Sequence, residues 1–227
     1  MARPRHMLIT AGPTREPIDD VRYIANRSSG RMGVALAEAA RDSGWTVTLL
    51  LGPVALESPA GVRSFGFEST ADLAELLEEH FPDCDVLIMA AAVADYRPRY
   101  PRTGKLPRKD EPVALELEPT PDLVAQCAAR KRQDQYIIGF ALEEPTVLER
   151  RAREKLRGKG LDAIVANPLA TMGATHVTAT IFTATGPPVT WPGSVVGSTN
   201  RSKKDFARRL IAWIHAAWLS FPKTSSG

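Results

Sequence analysis

Short runs of apolar residues alternate along the chain with longer stretches whose apolar positions recur every three or four residues, the periods of buried strand and packed helix. Residues 6–11 (His-Met-Leu-Ile-Thr-Ala) form the first run and stop at Gly12-Pro13, where a buried strand opens into a loop. From Gly33 the sequence Val-Ala-Leu-Ala-Glu-Ala-Ala-Arg favours helix and keeps small residues on one face, with Gly44 placed as a C-terminal cap. Residues 46–51 are apolar and partly β-branched and close on Gly52-Pro53. Strand, loop, helix, strand in this order make a βαβ unit and imply a parallel pair. The first loop, residues 12–30, far exceeds the roughly 2–6 residues usual between a strand and a helix, which points to a task of its own.

The alternation continues. Residues 62–67 predict a third strand, and Thr70 caps a helix running through Phe81 with leucines at helical spacing. Residues 85–91 predict another strand, whose exit Ala90-Ala91-Ala92-Val93-Ala94-Asp95-Tyr96 is small enough to pass close to a ligand. Residues 97–112 turn to Pro, Arg, Lys and Gly, the composition of a mobile loop. Residues 113–118 alternate as a half-exposed strand, and Thr120-Pro121-Asp122 opens a helix with Thr120 as its cap. A strand at 136–141, a helix at about 146–158 and a strand at 162–166 complete an α/β three-layer sandwich with a mostly parallel sheet. Beyond Pro168 the signals become antiparallel, with strands at 177–183 and 189–191 around Gly186-Pro187-Pro188 and a final helix from Ser202 to about residue 219. Residues 1–222 read as a single domain and 223–227 as a disordered tail.

Composition adds exclusions. With 29 basic and 26 acidic residues the net charge is +3, too small to argue for nucleic acid as a partner without a concentrated patch. No stretch approaches the roughly 18 apolar residues of a membrane span. The two cysteines, Cys84 and Cys127, lack metal-binding or redox spacing and read as buried free thiols. A cytoplasmic enzyme is the expectation.

Candidate chemistry gathers first at residues 22–33, Arg-Tyr-Ile-Ala-Asn-Arg-Ser-Ser-Gly-Arg-Met-Gly. Gly30 and Gly33 let a ligand near the backbone at a helix start, Ser28 and Ser29 can donate to an anion, and Arg22, Arg27 and Arg31 add charge. The same residues also describe an Arg-rich surface turn. The phosphate-loop and dinucleotide glycine fingerprints are absent, as are the hydrolase nucleophile turn and any zinc signature, and the four histidines are scattered.

Taken with Thr10-Ala11-Gly12-Pro13-Thr14-Arg15-Glu16, Ala91-Ala92-Val93-Ala94-Asp95-Tyr96, Thr120-Pro121-Asp122, Gly139-Phe140-Ala141, Lys155 and Asn167, this stretch carries a resemblance over almost the whole chain. The chain resembles the phosphopantothenoylcysteine synthetase family, the ligase half of the bifunctional coenzyme A biosynthesis flavoprotein of bacteria. The resemblance implies a Rossmann-like fold and the joining of 4′-phosphopantothenate to L-cysteine at the expense of CTP, with Mg²⁺, through an acyl-cytidylate. It also implies a homodimer, here placed at residues 175–191, and the start of the chain at its first strand leads to the expectation of a free-standing ligase served by a separate decarboxylase.

Residue by residue, the resemblance places Asn26 at the acyl-cytidylate and Gly30, Arg31, Met32 and Gly33 at an anion-binding turn. Met89, Ala90 and Ala91 fall on the strand end that meets the nucleotide base, Asp95 on a nucleotide-binding aspartate, and Pro121, Asp122, Leu123, Val124 and Phe140 on further nucleotide contacts. Lys155 and Lys159 fall near the triphosphate. Lys105 falls on a mobile-loop lysine that reaches the phosphates, with Arg108 or Lys109 standing for its later lysines. No metal motif is visible, and Asp19 and Asp20 are conceivable helpers to Mg²⁺. Two rival functions, an NAD(P)-dependent oxidoreductase and a non-catalytic nucleotide-binding module, share the strand and helix pattern.

Overall fold

The computed structural model describes residues 5–108, 110–171, 177–191 and 202–220. The predicted tail, Lys109 and the first two residues of the predicted dimer segment lie outside the described residues. The framework is an eight-stranded sheet. Strands β1 (His6–Ala11), β4 (Thr46–Leu51), β5 (Arg63–Gly66), β6 (Val86–Met89), β9 (Tyr136–Glu143) and β10 (Ala163–Pro168) run parallel in the spatial order β5-β4-β1-β6-β9-β10. The order reverses between β1 and β6, and in an open parallel sheet ligands bind at the carboxyl ends of such a pair.

Two layers of helix cover the sheet because successive strand residues point to opposite faces. Met7, Ile9 and Ala11 of β1 face α1 (Arg31–Asp42) and α5 (Ser202–Ser220), together with Val47, Leu49, Ile88 and Val165. Leu8 faces the other layer with Leu50, Leu87, Met89 and Ile164, against α2 (Thr70–His80), α3 (Leu123–Ala129) and α4 (Leu148–Gly158). Cys84 and Cys127 sit in that second layer as buried free thiols, and burial pushes both up to about 12.

Several local expectations are corrected. The long first loop contains a hairpin, β2 (Arg15–Pro17) against β3 (Tyr23–Ala25). Ser69 caps α2 in place of Thr70, exchanging hydrogen bonds with Asp72 in a capping box. Asp122 caps α3, because the Thr120 hydroxyl donates to the carbonyl of Ala94 at 2.5 Å. The strand predicted at 113–118 shrinks to β8 (Leu117–Pro119), paired with β7 (Tyr96–Pro98) outside the main sheet; Val113 and Leu115 find no buried face and stay exposed. At the other end, β11 (Ala179–Thr183) pairs antiparallel with β10, and β12 (Val189–Trp191) pairs with β11. The antiparallel segment therefore extends the main sheet, where an isolated ribbon would be marginal.

Candidate functional site

The site is built where β1 and β6 end side by side. Met89 closes β6, and the small residues after it run beside the loop that follows β1: the Ala92 amide donates to the Gly12 carbonyl at 2.8 Å, and the Thr14 amide to the Ala92 carbonyl at 3.3 Å. Buried threonines fix this run from below. Thr10 Oγ1 accepts from the Ala91 amide at 3.0 Å, and Thr14 Oγ1 accepts from the Ala94 amide at 3.0 Å. Glu16, only 2% exposed, accepts from the Thr70 amide at 3.0 Å and the Thr70 hydroxyl at 2.6 Å, while Thr70 also reaches Thr14 at 3.3 Å. The exit of β6 is thus tied to the first turn of α2 through side chains whose purpose no local pattern reveals.

The glycines divide their work. Gly30 is the N-cap of α1 with φ 69°, a left-handed backbone that glycine adopts without strain. Gly33 faces the sheet: a Cβ there would lie 2.4 Å from Ala11 Cβ and 3.0 Å from the Thr10 carbonyl oxygen. Its absence of side chain lets α1 sit directly on β1, so Gly33 acts by placing the turn that Gly30 caps.

Two cavities of about 430 Å³ each open on either side of a shared wall of Asn26, Ala91, Ala92, Phe140, Ala141 and Leu142. The first runs towards α3 and α4. It brings together Met89, Asp95, Pro121, Asp122, Leu123, Val124, Lys155 and Lys159. The helix persists through Gly158, so both lysines reach the same cavity. Each is already paired: Lys155 Nζ lies 2.7 Å from Glu143, which is 6% exposed and also meets Arg151 at 3.3 Å, and Lys159 Nζ lies 2.9 Å from Asp122. Asp95 is exposed and its carboxylate has no partner among the described residues.

The second cavity runs towards α1 and α5. Gly30, Arg31, Met32, Gly33 and Ala90 line it, with Arg27, Ser28, Ser29, Asn167 and Lys203. Its lining carries three cationic side chains and no carboxylate, and Arg27, Arg31 and Lys203 make no ion pair among the described residues. Burial, and then the neighbouring Arg31, hold the Lys203 ammonium below the ordinary lysine value. Asn167 is set by a hydrogen bond from its amide to the Thr178 carbonyl at 3.0 Å.

Asn26 stands at the junction. Its Nδ2 donates to the carbonyls of Val93 at 2.9 Å and Ala92 at 3.4 Å. Two carbonyl acceptors fix which end of the amide is nitrogen, and the free group is the Oδ1 acceptor.

Lys105 is not brought to this junction. It lines a separate cavity with Arg22, Leu106 and Arg108. The loop that carries it is pinned to the β2–β3 turn: the Gly104 amide donates to Asp20 at 2.7 Å, the Leu106 amide to Asp19 at 3.0 Å, and Arg22 Nη2 to the Leu106 carbonyl at 2.7 Å. Asp19, 4% exposed, also accepts from Arg22 and from the Val21 and Arg22 amides, and these bonds, led by that from Leu106, hold its carboxyl well below the usual carboxylate range. Asp19 and Asp20 are therefore engaged in holding the loop. No group of three or more His, Cys, Asp or Glu poised for a metal occurs among the described residues, and none of the described helices is long and apolar enough to cross a membrane.

Sequence reasoning misses Lys203, 170 residues beyond Gly33, because only the packing of α5 beside α1 brings it to the cavity. It also misses Thr10, Thr14 and Glu16 as site supports, because their partners Ala91, Ala94 and Thr70 lie 81, 80 and 54 residues away in sequence.

A family model described as the DNA/pantothenate metabolism flavoprotein C-terminal domain matches residues 2–217. A cysteine/cysteine sulfinic acid decarboxylase from an unknown prokaryotic organism is 44% identical over 171 residues, covering 75% of this chain and 47% of that protein. The coenzyme A biosynthesis bifunctional protein CoaBC of Bacillus subtilis (strain 168) is 43% identical over 171 residues, covering 75% and 42%. The chain spans less than half the length of these curated relatives. The crystal structure of the C-terminal domain of a coenzyme A biosynthesis bifunctional protein CoaBC superposes with a TM-score of 0.78 at 38% identity, covering 94% of this chain and 95% of that one.

Proposed function

The chain belongs to the family of DNA/pantothenate metabolism flavoprotein C-terminal domains, and on that premise we propose that it is a phosphopantothenate-cysteine ligase of coenzyme A biosynthesis, driven by CTP. The observation that carries the reading is the pair of cavities meeting at Asn26 on the sheet's switch point. A reaction that joins an acid to an amine in two steps by cleaving a nucleotide needs room for the nucleotide, room for the acid, and one point at which the activated acid meets the amine.

In the first step a carboxylate oxygen of 4′-phosphopantothenate attacks the α-phosphorus of CTP, and the bond to pyrophosphate breaks. In the second the cysteine nitrogen attacks the acyl carbon, the bond to CMP breaks, and the amine loses a proton to solvent. Holding the partners in line and neutralising charge accounts for most of the acceleration of such transfers. The first cavity suits the nucleoside, with Met89 and Ala91 at the strand end, Phe140 as an apolar wall and Asp95 as a free acceptor. Lys155 and Lys159 can turn from their carboxylates to phosphate oxygens, while the α1 turn and Arg31 attract anions from the other side. Asn26 Oδ1, an acceptor, suits the incoming cysteine amine better than it suits a phosphate.

Bound Mg²⁺ would neutralise charge on the phosphates, and it would arrive with the nucleotide, since no cluster of three or more His, Cys, Asp or Glu among the described residues would hold it alone. Lys105 belongs to this proposal as a loop residue that must swing away from Arg22 to reach the phosphates. A homodimer through the β11–β12 edge belongs to it as well, since an edge strand offers unpaired backbone groups to a second copy.

The test is direct. Incubation with CTP, Mg²⁺, 4′-phosphopantothenate and L-cysteine releases pyrophosphate and CMP in equal amounts, with ATP as the parallel arm for nucleotide choice. No pyrophosphate release dependent on the pantothenate carboxylate overturns the reading. Tight NAD(P) binding without release favours an oxidoreductase, and nucleotide binding without turnover favours a binding module.

A further inference from the structure

We infer that Lys203, at the first turn of α5, is a ligand-binding residue of the second cavity and takes a phosphate group there together with Arg31. The cavity that Lys203 lines contains Arg27 and Arg31 and no carboxylate. A lysine in a protein normally finds water or a counter-charge, and its neighbour Lys204 does so at Glu38, 2.9 Å away. Lys203 is half-buried, makes no ion pair among the described residues, and sits close enough to Arg31 to feel its charge. Both burial and like charge disfavour this ammonium in the empty protein. No carboxylate among the described residues of the cavity offsets that cost, and an anion entering the cavity would. Ser28, Ser29 and the amides at the start of α1 complete the donors that a phosphate requires.

The inference rests on the ligase reading only for which molecule carries the phosphate: the polyphosphate of the nucleotide or the single phosphate of phosphopantothenate. Titration calorimetry of the full chain with Mg²⁺–CTP, with 4′-phosphopantothenate and with inorganic pyrophosphate separates these sources. Lys203→Met is expected to weaken pyrophosphate and one of the two substrates by roughly 10- to 100-fold, the range of a lost hydrogen bond to a charged group. Lys203→Arg restores most of it, and Lys204→Met changes nothing. The melting temperature of the empty Lys203→Met protein stays at or above that of the unaltered chain, since a disfavoured charge has been removed. Affinities within twofold of the unaltered chain for all three probes, or a lowered melting temperature accompanying the loss, overturn the inference. If Lys203 governs phosphate binding while no pantothenate-dependent turnover occurs, the ligase reading fails and the phosphate site stands.

Discussion

The two cavities share a wall and a volume, yet treat charge in opposite ways. In the first, Lys155 and Lys159 are held by Glu143 and Asp122, so a ligand must displace an existing partner. In the second, Arg27, Arg31 and Lys203 wait without partners among the described residues. Paired cations keep their geometry and contribute to the fold; unpaired cations draw anions in from a distance, and of these only the half-buried Lys203 holds its charge at a cost. The difference teaches that the protein spends its structural tolerance on one side of Asn26 only.

The largest effect expected comes from lifting the helix start that lines the second cavity. Gly33→Ala places a methyl group 2.4 Å from Ala11 Cβ, so α1 must lift from β1. A loss of about 3 kcal/mol lowers the melting temperature by roughly 6–12 °C, and turnover falls with it; a melting temperature within 1 °C or so of the unaltered chain would show that the helix has room to spare.

Asn26→Asp acts at the boundary itself. A carboxylate would face the Ala92 and Val93 carbonyls and lose the donated hydrogen bonds. Acyl-cytidylate should still form while its reaction with cysteine slows by roughly 100-fold, read by quenched-flow separation of the two half-reactions. Equal slowing of both steps removes Asn26 from the second.

Lys155→Met tests the paired side against Lys203→Met on the unpaired one. Removing Lys155 leaves Glu143 with Arg151 alone and should destabilise the empty protein by about 1 kcal/mol, in a denaturant titration where Lys203→Met shows no loss. Identical stability changes for the two variants would erase the distinction between the cavities.

The smallest effect is on pH. The folded Lys203 ammonium lies below the ordinary lysine value of 10.5, so the unfolded chain binds more protons in the window between the lowered value and 10.5. Stability therefore gains a rising contribution with pH across that window, and Lys203→Met removes it. An unchanged difference curve between the two proteins contradicts the sign.

Much of this arrangement is legible in the sequence. The apolar runs at 6–11 and 46–51 match β1 and β4, and the small residues after Met89 lie on the wall between the two cavities. Expectations failed where residues answer to distant partners. Thr120 gives its hydroxyl to Ala94, so Asp122 inherits the cap. Residues 113–116 alternate correctly but meet no second layer, and the alternation alone supplies none. The three-residue strands β2 and β3 are too short for a period to show. Lys203 carries no local mark at all, since its neighbours in sequence are ordinary surface lysine and aspartate.

Glu16 gives the site a mechanical property. One buried carboxylate receives the first amide and hydroxyl of α2, and through Thr14 that same contact reaches the amide of Ala94, next to Asp95. Fraying at the start of α2 and loosening of the first cavity's rim are then one event rather than two. The Thr70 and Ala94 amides should exchange their hydrogens with a common opening rate, although 24 residues separate them.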